Sequence, residues 1–210
     1  MGKISTYTVL STPTLNDKLI GTDVTTNNET KNFLVGDLLA LGVSGGNIGK
    51  LLGGGIVAAE WNESGVTKLL IASLTNLTSV QWTLPAFQST VIGSTAQSSS
   101  NGLINTNAII SQTGAAAANT YAAGAARLHN GGAFSDWYLP SIWEINLCFG
   151  SAAIINKVLG DVNGFLQASY WSSTELNAAN GNILVSQTGG LSNTTKSTAA
   201  QVRAVRIHNI

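Results

Sequence analysis

The sequence predicts an α+β domain preceded by an extended N-terminal segment. Three observations point there. Apolar runs at 54–60 and 66–73 flank the turn residues Asn62-Glu63-Ser64-Gly65, the pattern of a β-hairpin. An Ala-rich tract and a Ser141…Glu144 pair with capping-box spacing mark helices farther on. Residues 1–43, by contrast, carry too few apolar side chains to build a core of their own.

In chain order, 6–10 and 18–20 read as short strands, and 37–41 as one helical turn. Residues 44–50 are Gly-rich and read as a linker, so the organisation is 1–43, linker 44–50 and domain 51–210. After the hairpin, 106–112 and 119–129 read as helices. Asn130-Gly131-Gly132 supplies a left-handed stop for the second. In Ser141-Ile142-Trp143-Glu144 the Ser hydroxyl can accept from the Glu144 N–H while the carboxylate reaches back to the Ser141 N–H. A helix of about two turns follows, to roughly Phe149. Residues 170–174 and 183–187 read as strands. The final strand, 201–207, has apolar residues on both pleat faces, which suits an interior position.

Composition removes several function classes. Ten Lys plus Arg balance ten Asp plus Glu, and charged residues are only 10% of the chain. Without a basic excess, no nucleic-acid partner is expected. With 44% hydrophobic residues, charge-driven disorder is not expected either. Met1-Gly2-Lys3-Ile4-Ser5-Thr6 has no apolar run and does not read as a signal peptide; its fit to an N-myristoylation pattern is treated as coincidence. No run reaches the ~18–20 apolar residues of a membrane span, so no membrane insertion is expected. Asn-x-Ser/Thr occurs at Asn28, Asn62, Asn76 and Asn193, as chance allows in a chain this rich in Asn and Thr.

Catalytic patterns fail on inspection. Gly45-Gly46-Asn47-Ile48-Gly49-Lys50 lacks the phosphate-loop Gly, since Ser44 stands there, and the Ser or Thr after Lys, since Leu51 stands there. One Cys and two His make neither a disulfide framework nor a zinc site, and Cys148 reads as a buried structural thiol. Asp136 and Glu144 flank a turn and a helix start, where structural hydrogen bonding explains them better than a hydrolytic pair. The acidic residues are too few for a multi-carboxylate calcium site. The expectation is a non-enzyme with no cofactor and no metal. Trp61, Trp82, Trp137, Trp143 and Trp171 read mostly as core, with a sugar-stacking platform as the alternative. Trp137, Ser141, Glu144, Trp171, Arg203 and Arg206 read as structural. The two Arg are expected to bridge to Asp136, Glu144, Glu175 or loop carbonyls.

Several blocks occur in a fixed order: Gly54-Gly55-Ile56-Val57, Asn105 to Gln112 with Gly114, and Ala122 to Ala126. Asp136-Trp137-Tyr138-Leu139-Pro140-Ser141 with Glu144 follows, then Tyr170-Trp171-Ser172-Ser173-Thr174-Glu175 and Val202-Arg203-Ala204-Val205-Arg206. On these, residues 53–210 resemble a bacterial and phage domain family related to the C-terminal domain of Lcl collagen-like adhesins. That family lies in the C-type-lectin-like superfamily, which also holds the formylglycine-generating enzymes. The resemblance implies a C-type-lectin-like fold: a small twisted antiparallel sheet, two helices and long loops. It implies neither calcium-dependent sugar binding nor copper chemistry, because the calcium-binding triplets and the cysteine pair are absent. Lys18-Leu19-Ile20-Gly21-Thr22-Asp23, Thr30-Lys31-Asn32-Phe33 and Gly36-Asp37-Leu38-Leu39 resemble the N-terminal segments of phage virion proteins.

These resemblances imply a virion structural protein: a fibre, tail or head-decoration subunit displaying the domain for host-surface binding. The alternatives are a purely architectural component of capsid or tail and a bacterial surface adhesin. The implied partners are other virion proteins, further copies of the chain (a trimer favoured) and a glycan or protein of the host surface. Leu19, Ile20, Phe33, Leu34, Leu38 and Leu39 are the candidate anchoring residues. In such folds ligand contacts come from loops beside the closing strands, here 176–182 and 189–198. Asn177, Asn180, Asn182, Asn193, Thr194, Thr195 and Lys196 are therefore the candidate ligand contacts.

Overall fold

The computed structural model describes residues 18–23, 29–34, 46–114 and 119–210. The chain divides into two compact units, Met1–Gly46 and Asn47–Ile210. In the first, β1 (Lys18–Asp23) and β2 (Glu29–Leu34) form an antiparallel pair, where only a strand at 18–20 was expected. Leu19 pairs with Phe33, Lys18 with Leu34 and Ile20 with Asn32. The strand expected at 6–10, the helical turn at 37–41 and anchoring candidates Leu38 and Leu39 lie outside the described residues.

The second unit begins inside the expected linker. Gly49 N–H donates to Val57 O (2.8 Å) and Val57 N–H to Lys50 O (2.9 Å). The Asn47 amide donates to Glu60 Oε2 (3.0 Å), so the chain is tied down from Asn47 onward. β3 (Leu51–Leu52), β4 (Gly55–Glu63), β5 (Val66–Ser73) and β11 (Val205–Asn209) form a four-stranded antiparallel sheet in the order β11-β5-β4-β3. The hairpin β4–β5 is the one expected. Ser64 and Gly65 both take positive φ (53° and 84°), as a tight two-residue turn requires, and Asn62 Oδ1 accepts from Gly65 N–H. Its strands are near-continuous apolar runs because both faces are covered. Val57, Leu69 and Ile71 join one core cluster; Ile56, Leu70 and Ala72 join the other.

A second sheet runs β6-β10-β7-β8-β9, from β6 (Leu77–Val80), β7 (Ser169–Glu175), β8 (Asn180–Val185), β9 (Gly190–Thr195) and β10 (Ala200–Val202). Only β10–β7 is parallel. The expected single final strand is two strands: the chain leaves the second sheet at Arg203-Ala204 and joins the first as β11. β10 is interior, as read, whereas β11 is lateral and is flanked only by a bridge from Val205 to Tyr138.

Four α-helices complete the described part: α1 (Gly102–Thr113), α2 (Ala122–Leu128), α3 (Ile142–Gly150) and α4 (Ala152–Leu159). The first core cluster gathers Ile109 of α1 and Ala122, Ala123 and Ala126 of α2 around Trp82, Trp137 and Trp171. The second gathers Ile145 and Cys148 of α3 and Ile155 of α4 around Phe165 and Tyr170. α2 is rich in Ala and Gly where it lies in the core: its four buried positions are Ala122, Ala123, Gly124 and Ala126. It ends at His129 in extended conformation, not at a left-handed stop; Gly132 takes its positive φ in the next turn. α1 starts a turn earlier than expected because Asn101 caps it, accepting from Ile104 N–H. α4 was not expected and bends 64° from α3. Among the described residues, no single helix is long and apolar enough to cross a membrane.

Candidate functional site

The candidate ligand contacts of 176–198 do not form two loops. They form the β8–β9 hairpin, in which Asn180 pairs with Thr195, Gly181 with Thr194 and Asn182 with Asn193. Asn177 holds the preceding turn, its Oδ1 accepting from the N–H groups of Ala179 (3.0 Å) and Asn180 (2.9 Å). Asn182 donates to Thr174 O. Thr194 and Thr195 hydroxyls share hydrogen bonds with Thr198, and Thr195 also with Ser197. Asn193 and Thr195 are exposed.

Lys196 corrects the sequence reading. It is fully buried, with its Nζ 2.7 Å from Glu175 Oε1, 2.9 Å from Thr90 O and 4.8 Å from the centre of the Trp82 ring. A side chain so enclosed is not available to an external ligand. Glu175 also accepts from the backbone N–H groups of Ile92 and Gly93, so the pair clamps the 90–93 loop to the second sheet.

The residues expected to be structural lie in the interior. Trp137 donates to Gly131 O (3.2 Å) and Trp171 to Val80 O (2.9 Å), and both are fully buried. Arg206 makes a bidentate pair with Asp136, Nε to Oδ1 at 2.7 Å and Nη2 to Oδ2 at 2.9 Å, and stacks 3.8 Å from the Phe134 ring centre. Arg203 donates to Asn76 Oδ1 (3.0 Å) and Asn163 O (2.7 Å), with no carboxylate partner among the described residues. Ser141 and Glu144 form the full capping box.

Glu144 does more than cap. Its Oε2 accepts from Ser141 N–H (2.7 Å) and from Gly102 N–H at the start of α1 (3.0 Å), and its Oε1 accepts from the Tyr138 hydroxyl (2.7 Å). A Cβ at Gly102 would lie 2.4 Å from Glu144 Oε2 and 2.7 Å from Leu139 O, so only glycine allows α1 this close. Burial pushes the Glu144 carboxyl above its ordinary range against the pull of these donors, and burial beside Glu144 raises the Tyr138 phenol.

Tyr138 and Glu144 of this cluster line an open groove of about 580 Å³. The walls come from four places: the end of β4 (Trp61, Asn62, Glu63), the start of α1 with Ser100 and Asn101, the start of α3 (Trp143), and β11 (Ile207, Asn209). Trp61 and Trp143 meet edge to face, centroids 5.2 Å apart at 79°. Lys68 pairs with Glu63 at 2.5 Å. Hydrogen bonds from Lys68 and Trp61 hold Glu63 below the usual carboxylate range, and the Arg206 hydrogen bond does the same for Asp136. Among the described residues no three His, Cys, Asp or Glu side chains converge as metal ligands.

The groove was missed because its residues are far apart in sequence. One local signal was available: at 3.6 residues per turn Trp143 falls with Asn146 and Gly150, opposite Ile145 and Cys148, and so faces outward. No family model matches this chain, and no curated protein matches it.

Proposed function

We propose that this chain is a bacteriophage virion structural protein whose N-terminal unit attaches it to the particle and whose second unit, a C-type-lectin-like domain, is displayed for host-surface binding. The observation that carries this reading is the division at Gly46/Asn47. A small hairpin-bearing unit precedes a larger one that holds its own two-cluster core and opens a groove on its surface. An antiparallel sheet with helices packed on both faces supports the lectin-like assignment. The resemblance of Lys18–Asp23 to virion attachment segments supports the anchoring role.

A specific observation favours the architectural reading as the second. Ile48, Leu51, Leu52, Ile154 and Val158 are exposed apolar side chains. A Cβ at Gly49 would lie 2.7 Å from Ile154 Cγ2 and 4.0 Å from Val158 Cγ2, so these two apolar side chains lie against the turn next to Ile48. Exposed apolar side chains placed this way suit contact with further copies of the chain.

Mass spectrometry of gradient-purified particles should find the chain, and soluble chain should compete with particles for adsorption to host cells. Presence without competition moves the assignment to the architectural reading. Absence from particles sinks both.

A further inference from the structure

We propose that the Trp61–Trp143 groove binds a neutral saccharide chain. The idea rests on the display reading above and gives it a ligand class; sugar binding by the isolated protein is measured independently of any particle.

The tryptophans themselves supply the first argument. Trp82, Trp137 and Trp171 are fully buried, whereas Trp143 is 37% exposed and Trp61 is partly exposed, both at the groove. Their edge-to-face contact fixes each ring with little freedom left to lose on binding. Rigid, half-exposed indoles offer a flat apolar face, which complements the C–H face of a pyranose ring.

Hydrogen-bonding capacity supplies the second. Asn62 and Asn101 have their Oδ1 atoms occupied by Gly65 N–H and Ile104 N–H, which orients the amides and leaves each Nδ2 without a protein partner among the described residues. Ser100 and Asn209 are exposed along the same groove. Beyond the bonds of Glu63 to Lys68 and Trp61 and of Asp136 to Arg206, both carboxylates keep lone pairs. Fixed amide donors beside carboxylate acceptors match vicinal hydroxyls, which both donate and accept.

Charge decides the class. Every exposed acid at the groove is paired, Glu63 with Lys68 and Asp136 with Arg206, and Glu144 is buried with both oxygens occupied. A sulfated or uronic polymer would meet these carboxylates without an unpaired cation to receive it. At about 580 Å³ the groove is the size of a small-molecule site and open enough for a chain to continue past its ends.

The test is affinity electrophoresis of the full chain through gels containing dextran, mannan, xylan or galactan, with heparin as the polyanion. At least one neutral polysaccharide should retard the protein and heparin should not. Trp143→Ala should weaken retardation by about tenfold and Trp143→Phe by less, since phenyl keeps part of the stacking surface. Unchanged near-ultraviolet circular dichroism shows that a variant is folded. If Trp143→Ala unfolds, Asn209→Ala and Trp143→Phe carry the comparison. Retardation by no neutral polymer, by heparin alone, or equally in wild type and folded variants overturns the proposal. So does self-association that Trp143→Ala abolishes in place of sugar binding. Sugar binding with no effect on particle adsorption leaves this inference standing and removes the host-binding reading.

Discussion

Lys196→Ala tests how the second sheet holds the 90–93 loop. Lys196 and Glu175 are both 0% exposed, and their N–O separation is 2.7 Å. Removing one member of such a pair strands the other charge, at about 3–5 kcal/mol. Two features set the expectation near the lower end. Glu175 keeps its backbone donors from Ile92 and Gly93, and a water entering the space vacated by the ammonium would find Thr90 O and Glu175 Oε1 as partners. Against this, Thr90 O loses its donor and Trp82 loses the ammonium over its ring. The net expectation is a loss of ~3 kcal/mol, or roughly 6–12 °C in Tm for a chain of this size. Glu175→Gln with Lys196→Met should cost less than the sum of the single changes, because the neutral amide oxygen still accepts from the loop and no charge is stranded. Urea unfolding followed by tryptophan fluorescence measures all five proteins: wild type, Lys196→Ala, the two single changes and their double variant. A loss below ~0.5 kcal/mol in Lys196→Ala, or strict additivity in the double variant, would refute the clamp.

Trp171→Ala should cost ~3–5 kcal/mol in the same assay, since the ring is fully buried and its Nε1–H is bonded to Val80 O. Asp136 has a depressed folded-state pKa, so its contribution is present above the ordinary Asp value and lost as pH falls through the folded one. Asp136→Asn should flatten the stability profile in that acid window, modestly because the side chain is 53% exposed. Glu144 runs the other way: its raised pKa makes its contribution fullest below the ordinary Glu value and lost as pH rises through the folded one. Glu144→Gln should therefore remove a decline above pH ~4.5, at the cost of weakened capping, as a pH series of urea titrations would show. Cys148 is buried with its thiol pushed up to about 12, so a disulfide reagent at pH 8 should label it at the rate of unfolding; fast labelling of the folded protein would contradict that burial.

What the sequence revealed depended on whether the signal was local. The β4–β5 hairpin was legible because Ser64-Gly65 can take positive φ and sits between two apolar runs. α3 was legible because its capping box lies within four residues. α4 was not, since Ser151 ends one helix and begins the next without a side-chain cap. β9 reads Gly-Leu-Ser-Asn-Thr-Thr, which has turn composition; it is a strand only because β8 pairs with it along its length. The same pairing continues into the turn that carries Lys196 inward, so a lysine in a polar stretch became a core residue. Apart from the outward-facing Trp143 the groove had no local signature, because its two tryptophans come from the end of a strand and the start of a helix that meet only in the folded chain.

The groove and the scaffold are the same set of hydrogen bonds seen from two sides. Glu144 ties the first residue of α1, the cap of α3 and the Tyr138 hydroxyl into one cluster. Val205 of β11 bridges to Tyr138. Asn101 and Leu103, Trp143, and Ile207 with Asn209 are therefore all carried by elements anchored to that cluster. Neither helix start can shift alone without breaking a buried bond to the Glu144 carboxylate, which is expensive to leave unmade, and β11 is held by its backbone bridge to Tyr138. Binding residues held by such a floor need little ordering on contact with a ligand. Trp143 is thus held by a helix start tied to this cluster, and Trp61 meets it from β4, where it is fixed by pairing with Lys68 of β5.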